Sequence, residues 1–191
     1  MKMMMSTCSY YKKVLFLLLL SSLLRQFCTA DPTDGFTQVQ LTDQNFKLQQ
    51  PYDKSPAERY ININGVEKFW VYTNDKPFMQ DSPTSTGVII MQVFGAATEA
   101  TTLQLRIIDG DLKYYNKNVV AANVYNKWVR LNVIHNVGAA KVTIFIDGIQ
   151  KLEMNDHGRD THYLKYGAYA ALTGSSNYME SRWKGIKVFN K

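Results

Sequence analysis

From residue 59 onward, apolar and polar side chains alternate, and every few residues an Asn-Gly or Asp-Gly breaks the run. Period-two alternation is the mark of strands whose two faces meet different surroundings. Ile63-Asn64-Gly65-Val66 predicts a hairpin between residues 59–63 and 66–72, because Asn-Gly tolerates the two positive φ angles of a tight turn. Asp109-Gly110-Asp111 separates expected strands at 102–108 and 112–115. Asn136-Val137-Gly138 separates 128–135 from 141–146, and Asp147-Gly148 turns into 149–154. Residues 163–170 and 182–189 read as two more strands. Only 43–48 and 119–125 leave room for a short helix, and neither keeps a helical period. Residues 74–86, with Pro77, Pro83 and several Ser/Thr, read as a loop. Short strands at this spacing predict an all-β antiparallel sandwich or jelly roll, in one domain without internal repeats.

The first thirty residues break the pattern. Lys2, Lys12 and Lys13 precede an apolar run from Val14 to Leu24, and Cys28-Thr29-Ala30 has the small-x-small form of a cleavage site. This predicts a signal peptide over residues 1–30, a domain over 31–191 and entry into the secretory pathway. The apolar run is shorter than the ~20 residues of a spanning helix, so no membrane association is expected after cleavage. An uncleaved anchor is the competing reading. Both cysteines, Cys8 and Cys28, lie in the leader, so the domain rests on its core rather than on disulfides.

Charge changes the picture little. Four of the 22 basic residues and none of the 16 acidic ones lie in the first thirty, which lowers the net charge from +6 to +2. That balance, without a Lys/Arg run, argues against a nucleic-acid partner. No phosphate-binding glycine loop and no nucleophile elbow is present, and no cofactor is expected. His157 and His162 flank Asp156 and Asp160, and His135 ends a strand. The spacing fits no usual zinc pattern, so no metal is expected.

Two strands carry candidate binding residues. In 87–95, Val88, Ile90, Gln92 and Phe94 share one face, and Ile89, Met91 and Val93 the other. Both faces are apolar except at Gln92, which predicts a central strand covered on both sides. Gln92 reads either as a hydrogen-bonded structural amide or as a ligand contact, since a buried amide needs partners. In 163–169, Tyr163, Lys165, Gly167 and Tyr169 share a face, with Gly167 leaving room above the strand for a sugar ring or an organic acid. Aromatic packing on a solvated face is the competing reading. Arg106 shares a face with Gln104 and reads as a groove cation or, preferably, a solvent-side residue.

Residues 31–191 resemble the plant citrate-binding proteins of the alginate-lyase-like group. The resemblance rests on Asp31-Pro32-Thr33-Asp34-Gly35-Phe36, Asn45-Phe46-Lys47-Leu48-Gln49, Met91-Gln92-Val93-Phe94-Gly95, Asp109-Gly110-Asp111-Leu112, Phe145-Ile146-Asp147-Gly148 and Met179-Glu180-Ser181-Arg182-Trp183-Lys184-Gly185-Ile186. It implies a concanavalin-like β-jelly roll of two curved sheets with a groove, an extracellular or vacuolar protein, and a small carboxylate or acidic polysaccharide as partner. In the lyases of this group the groove carries R-T/S-E-x-R, Q-I/V-H and Y-F-K-x-G-x-Y-x-Q. Arg and Gln neutralise a uronate carboxylate there, while His and Tyr move protons for β-elimination. On this chain Gln92 matches the neutralising amide, Phe94 stands at the His, Lys165 and Tyr169 match the third motif, and Ala171 replaces its closing Gln. Gln92, Phe94 and Tyr169 are thus the degenerate lyase positions. Gln92, Tyr163, Lys165, Tyr169 and Arg106 are the candidate ligand contacts. The arginine motif is absent. Ser82-Pro83-Thr84 should lead into it, yet only Ser85-Thr86 separates those residues from the strand at 87–95. The resemblance therefore implies the loss of roughly two strands of about 5–6 residues each with their turns, leaving residues 87–95 short of a neighbour. A carboxylate-binding protein, a polyuronate lyase and a truncated form of little function remain open at this point.

Overall fold

The computed structural model describes residues 30–49, 51, 53–72, 74–75, 87–95, 101–158, 161–169 and 177–191. The expected leader, apart from Ala30, and the junction at 76–86 lie outside these residues. Pro32 to Lys191 form one unit by their contacts.

Thirteen strands make up that unit among the described residues: β1 Thr37–Val39, β2 Tyr60–Ile63, β3 Val66–Tyr72, β4 Val88–Gly95, β5 Thr101–Ile108, β6 Asp111–Tyr114, β7 Asn118–Ala121, β8 Leu131–Asn136, β9 Lys141–Ile146, β10 Ile149–Asn155, β11 His162–Tyr169, β12 Tyr178–Lys184 and β13 Val188–Asn190. All pairings are antiparallel. The described helical content is two 3-10 turns, Asp43–Asn45 and Pro56–Glu58. The fold is all-β and of jelly-roll type.

Three hairpins form as the sequence predicts. Asn64 and Gly65 have φ of 52° and 76°, Asp109 and Gly110 52° and 84°, Asp147 and Gly148 51° and 82°. Paired positive φ in a two-residue loop gives a turn whose twist matches its flanking strands.

The central sheet runs β11-β4-β5-β6-β7. Smaller sheets run β10-β9-β8, β12-β3-β2 and β1-β13. The core lies between the first two. Met91, Val93, Leu103, Leu105 and Ile107 face Val142, Ile144 and Ile146, with Leu112 and Val120 beside them. Leu103, Leu105, Val142 and Ile144 are fully buried, each contributing roughly 1.5–3 kcal/mol relative to exposure.

Residues 119–125, which left room for a short helix, begin in strand β7, where Val120 and Ala121 pack on the core. The structure departs from the sequence reading in three places. The strand expected over 182–189 divides into β12 and β13 at Gly185, whose φ is 61°. The strand expected to start at residue 128 begins at Leu131. Finally, β4 is not short of a neighbour: β11 pairs along one edge and β5 along the other.

Candidate functional site

The face of the central sheet turned away from the core is built by register. Met91 pairs Leu105 and both point into the core, so the next pair, Gln92 and Gln104, points the other way. Lys165 of β11 pairs Gln92 on the opposite edge. Lys165, Gln92 and Gln104 thus stand abreast on three strands. Toward one end lies Phe94 with its partner Tyr163. Toward the other, Ile89 pairs both Tyr169 and Arg106. Five of the sequence-derived contacts, Gln92, Tyr163, Lys165, Tyr169 and Arg106, therefore occupy three neighbouring strands.

Exposure falls across this row. Tyr163 is 60% exposed, Lys165 and Gln92 are half-buried, and Gln104 and Arg106 are buried, Arg106 at 4%. This corrects the solvent-side reading of Arg106. β5 is an interior strand, and residues after β6 close over its outer face. The Arg106 Nε donates to Gln104 Oε1 at 2.5 Å, and a terminal NH group reaches Asn116 Oδ1 at 3.5 Å. Burial lowers the Arg106 pKa, opposed by Tyr115, yet a guanidinium stays charged. Tyr115 is itself fixed by donating its phenol to the Thr101 carbonyl. Gln104 was legible only as a neighbour of Arg106. Its polar place in an apolar strand, two residues away, was the signal for it.

Lys165 holds its ammonium 4.3 Å from the Phe94 ring centroid. Burial lowers its pKa from the ordinary lysine value. The row therefore holds two cations from different strands, two amides between them and phenols at the margins, and of these Lys165, Gln92 and Tyr163 are open while Arg106 and Gln104 are covered and bonded to each other. The open ones are donors suited to carboxylate oxygens.

Gly167 does not do what the sequence reading gave it to do. Register shifts between Tyr166 and Tyr169, and Gly167 takes φ 135°. A side chain there would meet the Phe69 ring of β3 at 3.1 Å, so the space is filled from inside the fold. Ser181 of β12 donates to the Gly167 carbonyl at 2.6 Å and locks the same point. The glycine serves packing between β11 and the β12-β3-β2 sheet. Beside it, Tyr166 donates to the Glu67 carboxylate at 3.1 Å, and burial followed by that carboxylate pushes its pKa up.

Two of the three histidines come together. His162 belongs to β11. Its ring meets His135 edge-on, with centroids 4.5 Å apart. His135 Nε2 lies 3.0 Å from Asp156 Oδ2, and that hydrogen bond holds the Asp156 carboxyl below its usual range, helped by the Gly158 N–H. His162 Nε2 is buried without a hydrogen-bond partner. Among the described residues no group of three His, Cys, Asp or Glu side chains is placed to hold a metal ion.

Comparison with known proteins gives this all-β fold a family. The alginate lyase family profile (Alginate lyase 2) matches residues 79–190, and the chain belongs to that family. A citrate-binding protein of Hevea brasiliensis is 52% identical over 204 residues, covering 91% of this chain and 86% of the relative. Since 91% of 191 residues is about 174, about 30 of the aligned positions have no residue here. No solved structure matches.

Proposed function

We propose that this chain binds a small carboxylate, citrate or the uronate of an acidic glycan, across Lys165 and Gln92, with Gln104 and Arg106 buried behind them, without cleaving it. The observation that supports this most is the strand register that sets Lys165, Gln92 and Gln104 abreast, with buried Arg106 beside Gln104. Binding also agrees with the name of the Hevea relative. Phe94 occupies the position of the lyases' proton-carrying His, and an arene carries no proton. General acid–base help is worth typically 10²–10⁴-fold, so its loss weighs against catalysis. The polyuronate lyase reading rests on the family and on Gln92 and Tyr169, which the resemblance implies stand at lyase positions. We place the missing ~30 positions between Thr84 and Gly87, where the arginine motif would stand. The leader at residues 1–30 would export the domain to the vacuole or the cell exterior.

Charge-assisted hydrogen bonds contribute roughly 1.5–3 kcal/mol each. Two or three of them exceed the several kcal/mol lost on immobilising a small ligand by about 4 kcal/mol at most. Affinity for citrate or galacturonate is therefore expected at about millimolar. Calorimetric or NMR titration of the domain beside Lys165→Met tests the reading. The variant should bind at least about tenfold more weakly, one lost charge-assisted bond being worth that much. Equal binding by the two proteins would remove Lys165 from the site. A double-bond absorbance above that of Tyr169→Phe, on alginate or polygalacturonate, would return the lyase reading.

A further inference from the structure

We propose that Phe94 is a positioning residue for the ligand-binding ammonium. Its ring holds Lys165 over the strand row so that the cation faces a carboxylate lying across Gln92. The inference deepens the binding reading above and rests on it. Phe94 stands where the lyase motif carries a histidine, and loss of the proton carrier is only half of what that exchange does. Phe94 pairs Tyr163, and Lys165 pairs Gln92. Lys165 and Phe94 are thus diagonal neighbours on one face, within reach of a long side chain. The ammonium has taken that reach, 4.3 Å from the ring centroid. The negative face of an aromatic ring attracts a cation electrostatically, and more strongly when water is partly excluded. Lys165 and Phe94 are both half-buried.

Three consequences follow for recognition. A lysine side chain loses considerable rotamer freedom when a ligand fixes it, and a ring that fixes it beforehand reduces that loss. A ring occupies one side of the ammonium and leaves its remaining N–H groups free to donate. An imidazole at position 94 would titrate near neutrality and, when charged, repel Lys165. A phenyl ring leaves the lysine's charge undisturbed over the whole pH range in which a carboxylate is ionised. A phenyl ring at position 94 thus acts as a cation cradle. The class of ligand it serves is a carboxylate that is bound and left intact.

The test uses the full 31–191 domain, citrate as probe, and the variants Phe94→Leu, Phe94→Tyr and Lys165→Met. Cation–π contacts of this burial correspond to a roughly three- to thirtyfold change in affinity. Phe94→Leu should weaken citrate binding by up to that factor while lowering the melting temperature by no more than several degrees, so that the domain stays folded at about 25 °C. Phe94→Tyr, which keeps the ring, should bind within about twofold of the unmutated protein, as ring and cation are both preserved. The Lys165 ε-CH₂ resonance should be shifted upfield by the ring current in the unmutated protein and in Phe94→Tyr, and lose that shift in Phe94→Leu. Should Phe94→Leu fold poorly, the resonance of the unmutated protein still decides. An ε-CH₂ at its random-coil position means that the ring does not hold the ammonium, and overturns the proposal. Undiminished binding by Phe94→Leu, with Lys165→Met impaired, overturns the positioning role and leaves the binding site standing. Undiminished binding by Lys165→Met overturns the binding reading itself.

Discussion

Replacing Gly167 by alanine asks how the binding strand is held in place. Two costs are written into the structure. At φ 135° an L-residue is strained, which costs of order 1–3 kcal/mol. The new methyl would lie 3.1 and 3.2 Å from two carbons of the Phe69 ring. That ring is 8% exposed and hemmed in by Tyr60 and Tyr166, at centroid distances of 4.9 and 5.7 Å, so it has little room to retreat. Overpacking of this kind costs typically 1–3 kcal/mol. Because relief of one strain relieves part of the other, the total should be about 3 kcal/mol. For a domain of this size each kcal/mol lowers the melting temperature by about 2–4 °C, giving a fall of about 6–12 °C. Gly158→Ala is the control. Its φ is 122°, but nothing lies within 4 Å of the added carbon. It should cost only the backbone strain, about 1 kcal/mol. Differential scanning calorimetry on both variants gives the comparison. A fall under about 3 °C for Gly167→Ala, or equal falls for the two, would refute the claim that Phe69 fills the space under β11.

Two further outcomes follow from ion pairs. Arg59 grips Asp75 with two hydrogen bonds, Nε to Oδ2 at 2.8 Å and a terminal NH₂ to Oδ1 at 2.5 Å, with the side chains only 13% and 7% exposed. Asp75→Ala should cost about 3–5 kcal/mol in urea denaturation, and adding Arg59→Met should recover part of it, because the stranded charge is then gone. Glu180 gives the pH dependence. Burial pushes its carboxyl up, but hydrogen bonds from Lys68, Tyr178 and Arg182 outweigh that and hold it down at about 2, from 4.5. A lowered carboxylate pKa stabilises the fold above 4.5, and that contribution is lost as pH falls toward 2. Solvent screening limits it to about 1 kcal/mol, and Glu180→Gln should flatten the acid limb of the melting curve by that amount.

The turns were legible because their chemistry is local. Asn64-Gly65, Asp109-Gly110 and Asp147-Gly148 permit paired positive φ wherever they stand, and the structure uses all three. The polar break at Gln92 was legible too, since an amide in an apolar strand has few causes. What escaped depends on residues distant in sequence. Gly167 reads as open space until Phe69, nearly a hundred residues earlier, is brought beneath it. Arg106 reads as exposed by alternation alone, because alternation gives the face of a strand but not what lies over that face. Here Asn116 and Gln104 receive the guanidinium. His135 of β8, Asp156 just after β10 and His162 of β11 lie far apart in sequence, and no spacing rule joins them.

The sheets also order the chain in time. β1, at Thr37–Val39, has its partner at Val188–Asn190, and β4 waits for β11 some seventy residues later. A growing polypeptide can shape its hairpins early, since those close over a few residues. The β1-β13 pair cannot form until Val188–Asn190 has been made. Ribosome-bound chain thus carries half-finished sheet with exposed pairing edges for most of its synthesis. A chain halted before Val188–Asn190 would leave β1 without its partner and the hairpins unlatched.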